Sequence, residues 1–169
     1  MLEGCRKDDR KMQEQLYRAY AGEMLSVCLA YEPDRDDAKD ILQNGFLKVF
    51  RNINTYNGQG SLKAWIRRII SNTAVDAFRK RQQNLTLRID DLRANNEPSE
   101  DVSDPLICQD LLKEVEKLPD GARMVFNLHA IEGYGHKEIA KMLNISEGTS
   151  KSQLNRARKL LNEQLSKVG

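Results

Sequence analysis

Residues near the C-terminus have the side chains and the helical spacing of a surface that reads DNA. At about 100° per residue, one face of the segment that begins at Glu147 is small or apolar. The members of that face fall within an arc of about 60°: Ser150, Leu154, Ala157 and Leu161. The opposite face carries cations and short hydrogen-bonding groups: Lys151, Ser152, Asn155, Arg156 and Lys159. This pattern suits base reading in the major groove, and Thr149 adds a hydroxyl for a phosphate contact.

The residues before this segment supply what a helix–turn–helix needs. Ala140 is small enough for two helices to cross closely, and Ile145 places an apolar side chain inside a polar turn. Ser146 is a favourable N-cap for a helix that begins at Glu147. A basic amphipathic helix alone is more typical of a solvated surface. The complete turn favours DNA binding over that alternative.

A second candidate surface lies on a predicted helix over residues 62–82. Ile66, Ile69, Ile70, Thr73 and Ala77 form its predicted buried stripe. Another face combines an aromatic ring with cations and an amide: Trp65, Arg68, Asn72 and Arg79. With Tyr56 and Asn57 in the preceding loop, this face suits stacking on an unpaired base. Trp65 fits a core or rim anchor equally well.

A third polar set lies on the helix predicted to start at the acidic cluster around Asp34. Asp40, Gln43 and Asn44 share one outer side, and Phe46 lies nearby. A carboxylate and two amides beside an aromatic ring suit a protein-docking patch. A hydrated helix surface explains the same residues at least as well.

Composition excludes several classes of protein. The chain has 169 residues and 31% charged residues, with no apolar run of the roughly 18 residues that span a bilayer. The polar N-terminus lacks a signal peptide, so we expect a cytoplasmic protein without membrane insertion. Cys5, Cys28 and Cys108 are widely spaced, which predicts free thiols. Neither His129 nor His136 pairs with a cysteine or carboxylate at ligand spacing, so we expect no metal, no cofactor and no enzymatic activity.

Helical periodicity dominates the chain, and strand signals are nearly absent. We therefore predict an all-α protein of two small helical domains, 1–84 and 105–169, the second with the helix–turn–helix. The interval 85–104 is polar, acidic and interrupted by proline, which is typical of a flexible linker. Net charge also varies along the chain: it is +4 over residues 1–84, −5 over 85–115 and +3 over 116–169. Two basic ends suit contacts with a polyanion.

Three stretches in succession resemble a bacterial RNA polymerase sigma factor of the extracytoplasmic-function (ECF) group of the sigma-70 family. DDAKDILQNGFLKVFRNI (36–53) is similar to the family's core-binding helix. YNGQGSLKAWIRRIISNTAVDAFRKR (56–81) resembles its promoter-melting and −10-reading segment. The stretch from Leu118 to Leu161 resembles its −35-reading domain.

The resemblance implies a role for each residue set. Asp40, Gln43, Asn44 and Phe46 correspond to the surface that docks on the β′ clamp helices of the polymerase core. The expected contacts with the unpaired −10 strand are Tyr56, Asn57, Trp65, Arg68 and Asn72. The expected −35 contacts are Thr149, Lys151, Ser152, Asn155, Arg156 and Lys159. Further partners implied are the β flap of the core, promoter DNA and an anti-sigma factor.

Three positions depart from the family pattern: Asn44 stands in place of a common Glu, Gly45 replaces a larger residue, and Ser150 stands where Val is usual. One alternative function stays open, a one-component helix–turn–helix regulator that does not bind core polymerase stoichiometrically. A helical adaptor that binds only proteins is a further alternative, and it would lack salt-dependent affinity for DNA.

Overall fold

A computed structural model describes residues 1–88 and 113–166 of the chain, and all of the regular secondary structure in these ranges is helical. The all-α fold class is therefore confirmed. The chain divides into two compact units, Met1–Ala77 and Phe78–Gly169. No helix within the described ranges is long and apolar enough to cross a membrane.

The first unit is built from four helices: α1 (Leu2–Arg6), α2 (Arg10–Tyr31), α3 (Arg35–Asn52) and the first part of α4 (Leu62–Arg88). A single 3₁₀ turn, Ile53–Thr55, follows α3. Aspartates start two of the helices. The side chain of Asp9 accepts hydrogen bonds from backbone amides at the start of α2, and Asp34 does the same for α3. These caps fix where each helix begins.

Helix α4 runs six residues beyond its predicted end at Gln82, so the interval predicted as linker from residue 85 starts with helix. Composition misled the prediction here. The residues after Gln82 are mostly polar, but no glycine or proline interrupts them before Pro98, and polarity alone does not end a helix. The remainder of the predicted linker, residues 89–104, lies outside the described residues, as does Cys108.

The core of the first unit lies where α2, α3 and α4 meet. Its fully buried large side chains come from all three helices and the 3₁₀ turn: Leu16, Met24, Val49, Ile53, Ile66 and Ile70. The predicted stripe on α4 is mostly confirmed, since Ile66, Ile70 and Thr73 are buried, while Ile69 and Ala77 are half-buried. This packing determines which faces of α3 and α4 stay in solvent.

Cys5 and Cys28 lie in the same core as free thiols. Burial raises the pKa of the Cys28 thiol to about 12 and also raises the pKa of Cys5. Both therefore behave as small apolar side chains near neutral pH.

The second unit contains a helical turn at 113–116, α5 (Asp120–Phe126), α6 (His136–Leu143) and α7 (Glu147–Leu165). A π-helical turn, Asn127–Ile131, continues α5 and ends before Gly133, whose φ is +80°. A core cluster of this unit packs residues 115–122 against α7: Val115, Leu118, Ala122, Ala157 and Leu161.

Gly45 explains how closely α3 and α4 approach each other. Gly45 is buried in α3, and a β-carbon there would collide with the Cδ1 atom of Ile70 in α4. Ile70 is itself fully buried, so its side chain has little room to move. The departure from the family pattern at position 45 is thus a packing requirement of this chain.

We predict that Gly45→Ala lowers the free energy of unfolding of the first unit. The gain in helix propensity is about 0.5–1 kcal/mol, and overpacking a close-packed core costs about 1–3 kcal/mol. Urea unfolding followed by the fluorescence of Trp65, the one tryptophan of the chain, measures the difference.

Gly22→Ala is the matched control, because nothing lies within 4 Å of a β-carbon added at this exposed position of α2. It should raise stability by about 0.5–1 kcal/mol. In an Ile70→Val background, which lacks Cδ1, Gly45→Ala should cost less than in the natural chain. An equal cost in both backgrounds would contradict the proposed collision.

Candidate nucleic-acid interface

Helices α6 and α7 form the predicted helix–turn–helix. Asn144 ends α6 in the left-handed conformation, with a φ of 55°, which asparagine tolerates better than most residues. The side chain of Ser146 accepts a hydrogen bond from the Thr149 amide at 2.9 Å. The N-cap role of Ser146 and the start of α7 at Glu147 are both confirmed.

The two faces of α7 separate as the helical spacing predicted. The small and apolar face is buried: Ser150, Leu154, Ala157 and Leu161. The six residues proposed to contact DNA are all exposed: Thr149, Lys151, Ser152, Asn155, Arg156 and Lys159. Burial of one face therefore presents the other to any ligand.

Several side chains on this exposed face already have partners on the same helix. Lys151 pairs with Glu147 at 3.0 Å, and Lys159 lies 3.9 Å from Glu163. The hydrogen bond from Lys151 lowers the pKa of Glu147, which keeps that carboxylate charged. These exposed pairs are weak and exchange readily for phosphate contacts. Across residues 113–166, no ion pair is described for Arg156.

Two hydroxyls proposed as DNA contacts also make local hydrogen bonds. Thr149 Oγ1 lies 2.8 Å from Ser146 Oγ, and Ser152 Oγ donates to the Thr149 carbonyl at 2.9 Å. Both hydroxyls help to define the first turn of α7. A phosphate contact by either one has to share or replace these bonds.

A polar chain of four residues lies behind the recognition face. His136 Nδ1 is 2.9 Å from Ser150 Oγ, and the His136 ring stacks on the ring of His129 with centroids 4.7 Å apart. His129 Nδ1 lies 2.9 Å from the Tyr134 carbonyl oxygen. Because a carbonyl only accepts, His129 donates from Nδ1 in this contact. The chain links the π turn, α6 and the first turn of α7.

Ser150 departs from the usual valine of the family, and this hydrogen bond gives it a structural role. The residue is fully buried, so its hydroxyl needs a partner, and His136 supplies it. Sequence reasoning described Ser150 as a packing position and missed the hydrogen bond, since the partner lies fourteen residues away in the chain.

In the first unit, Tyr56 is not the exposed ring that the sequence predicted. It is only 8% exposed, and its hydroxyl donates to the Gly60 carbonyl at 2.8 Å. Its ring lies 5.5 Å from the ring of Trp65, which is half-buried. Tyr56 therefore supports the loop from within, because a buried phenol is stable only with its hydroxyl bonded.

The other residues of this surface are accessible. Asn57 and Arg68 are exposed, while Asn72 is half-buried on the same side of α4 as Trp65 and Arg68. The Asn57 side chain accepts a hydrogen bond from the Gln59 amide at 3.0 Å. The loop and the start of α4 thus bring an aromatic edge, amides and a cation into one area.

On α3, Asp40, Gln43 and Asn44 are exposed as predicted, but Phe46 is only 2% exposed. Its ring packs edge-on against Tyr17 at 4.8 Å, so it has no surface for a partner. Leu47, one position later, is instead 53% exposed and lies two turns after Asp40. The patch therefore consists of Asp40, Gln43, Asn44 and Leu47.

These features define a DNA-binding protein with two helical units, one of which carries a helix–turn–helix. Family models for sigma-70 region 2 and sigma-70 region 4 match residues 16–84 and 108–161, respectively. The chain belongs to the sigma-70 family of transcription initiation factors, in the extracytoplasmic-function group. Sigma factors direct RNA polymerase in transcription initiation, and the family is not enzymatic.

Individual relatives agree with this assignment. The ECF RNA polymerase sigma-E factor of Escherichia coli K12 is 25% identical, over 98% of this chain and 92% of the relative. The ECF sigma factor SigE of Mycolicibacterium smegmatis is 28% identical, over 91% of this chain and 62% of the relative. The sigma factor RpoE of Bartonella quintana, solved with the anti-sigma factor NepR, has the same fold. That match has a TM-score of 0.56 and 22% identity, and it covers 90% of this chain and 96% of the other.

We predict that His136 stays neutral to a lower pH in the native chain than in the unfolded chain. Burial, the neighbouring His129 and Lys151 all lower the pKa of His136. The unfolded chain takes up a proton first as the pH falls through about 6.5. The contribution of neutral His136 to the stability of the native chain is therefore complete above about pH 6.5 and declines as the pH falls below it.

An NMR titration of the two imidazoles measures this effect, with the chain in 8 M urea as the unfolded reference. His129→Gln assigns the signals and should raise the His136 midpoint part of the way, because it removes one neighbouring charge. A native midpoint for His136 at or above that of the unfolded chain would contradict the prediction.

Proposed function

We propose that this chain binds the RNA polymerase core through α3 and recognises promoters through two separate surfaces. Helix α7 reads the paired −35 element, and the loop before α4 together with its first turns captures the unpaired −10 strand. The observation that carries the proposal is the exposed face of α7. Six side chains whose chemistry suits DNA contacts lie there, opposite a buried stripe.

The α3 patch suits a protein partner. An exposed leucine leaves apolar surface in water, and full burial of such a side chain is worth about 1.5–3 kcal/mol. Around Leu47, one carboxylate and two amides offer directed hydrogen bonds. This mixture of an apolar centre and a polar rim is typical of a binding surface. We assign it to the β′ clamp helices of the core.

The surface around Trp65 suits single-stranded DNA. A half-buried indole supported by Tyr56 offers an edge or face for stacking at low entropic cost. Arg68 supplies a charge for the backbone, and the amides of Asn57 and Asn72 can bond to base edges. Promoter opening is then driven by binding energy to the captured strand, with no covalent step.

On α7, Asn155 and Arg156 are best placed for base contacts. Both are exposed in the middle of the recognition helix, roughly two turns after its start at Glu147. Lys151 and Lys159 suit phosphates on either side, because lysine acts as a point charge. The β flap of the core and an anti-sigma factor are further proposed partners, and the site of action is the cytoplasm, where the polymerase works.

Comigration with sigma-free bacterial core polymerase tests the central step, followed by in vitro transcription from a pool of genomic fragments and mapping of start sites. A sigma factor forms a stoichiometric complex and yields shared −35 and −10 sequences. Fragment binding without core binding would instead identify a one-component regulator.

Leu47→Asp should weaken core binding at least about tenfold, since it buries an unpaired charge at the centre of the contact. Leu85→Asp is the matched control, because Leu85 is a leucine of similar exposure, 46%, outside the patch. Affinities are measured by titration of labelled chain with core. An equal loss in both variants would argue against the patch.

Arg156→Ala and Trp65→Ala should impair two different steps, −35 recognition and promoter melting, respectively. The first should relax preference at one −35 position by about 1–3 kcal/mol, measured across a library of −35 sequences, while melting of bound promoter persists. The second should leave −35 preference intact and reduce permanganate reactivity at −10. Normal melting by Trp65→Ala, or an unchanged −35 preference in Arg156→Ala, would refute the corresponding assignment.

A further inference from the structure

The N-terminal helix α1 is bonded to the loop that precedes α4. Arg6, the last residue of α1, donates from Nη2 to the Tyr56 carbonyl oxygen at 2.8 Å, across fifty positions of sequence. Nη1 of the same guanidinium donates to Glu3 at 2.9 Å. One planar group therefore connects an acceptor on its own helix with an acceptor on the loop.

Helix α1, which carries Arg6, is held in place by packing. Cys5 is fully buried, and Gly4 lies so near Met12 of α2 that a β-carbon on it would collide with that side chain. Asp8 adopts a left-handed turn, with a φ of 56°, before Asp9 caps α2. Arg6 is therefore attached to a helix whose position is fixed by packing.

Tyr56 is held at both ends. Arg6 bonds its carbonyl, and its own hydroxyl donates to Gly60 at the far side of the loop. This segment contains Gly58 and Gly60, both with positive φ angles. Because glycine has no β-carbon, its backbone has more accessible conformations than that of other residues, and the segment is intrinsically adaptable. Without an external tie, such a loop has many conformations of similar energy.

We propose that Arg6 is a positioning residue for capture of the −10 strand. It fixes Tyr56, and Tyr56 in turn places the loop and supports the ring of Trp65. A charge-assisted bond to a carbonyl is among the stronger hydrogen bonds, and a loop ordered in advance pays less entropy on binding. The role in capture rests on the proposed function of this loop, whereas the tie itself does not.

Arg6→Gln is compared with Arg10→Gln, which removes an exposed cation at the start of α2. In the free chain, Arg6→Gln should shift the emission of Trp65 to longer wavelength and increase its quenching by acrylamide, while Arg10→Gln does neither. In the reconstituted holoenzyme at a promoter from the start-site mapping, permanganate reactivity at −10 should fall roughly tenfold in Arg6→Gln. Core binding and −35 preference should stay unchanged.

Unchanged Trp65 emission and unchanged −10 reactivity in Arg6→Gln would overturn the inference. An equal fall in reactivity with Arg10→Gln would also overturn it, because charge and not position would then be responsible. If circular dichroism shows that Arg6→Gln loses helix, Arg6→Lys replaces it: partial loss in both readouts is expected, and natural values in both overturn the inference. A chain that never binds core, yet shows the emission shift, would refute the proposed function while leaving the tie intact.

Discussion

Each proposed functional surface of this protein depends on burial of the opposite side of the same helix. With roughly 3.6 residues per turn, a rotation by one position turns a helix by about 100°, enough to move Arg156 from solvent toward the core. The buried stripe of α7 prevents this rotation. Phe46 and Ile70 do the same for α3 and α4. Apolar packing therefore sets which side chains of these helices face the solvent and are accessible to a partner.

Hydrogen bonds position these helices and the loop before α4 more precisely than apolar packing alone. Apolar burial has no preferred direction, whereas a hydrogen bond is confined to a narrow range of lengths and angles. The bond between His136 and Ser150 fixes the first turn of α7 against α6, and the bond between Tyr56 and Gly60 closes the loop before α4. Both lie beneath a proposed DNA surface, where a small displacement changes which base edge is in reach.

Much of the fold followed from the sequence because helix signals are local. Caps at Asp34 and Ser146 and the amphipathic stripe of α7 can be read within a few neighbouring residues. The errors arose where the outcome depends on distant partners. Phe46 packs against Tyr17, twenty-nine positions earlier, and the Tyr56 carbonyl is bonded by Arg6, fifty positions earlier. Helical spacing placed Leu47 on the polar side of α3, two turns after Asp40, but a leucine is more often buried than exposed, and its residue type outweighed its position.

The lysine and glutamate pairs on α7 affect how strongly the proposed DNA affinity of this helix depends on ionic strength and on base sequence. When Lys151 or Lys159 moves to a phosphate, its carboxylate is left to recruit a cation from solution, which offsets the cation that the phosphate releases. The dependence of affinity on ionic strength is then shallower than the number of lysines suggests. Arbitrary DNA gains little from such an exchange, so the proposed discrimination by this helix rests mainly on base contacts.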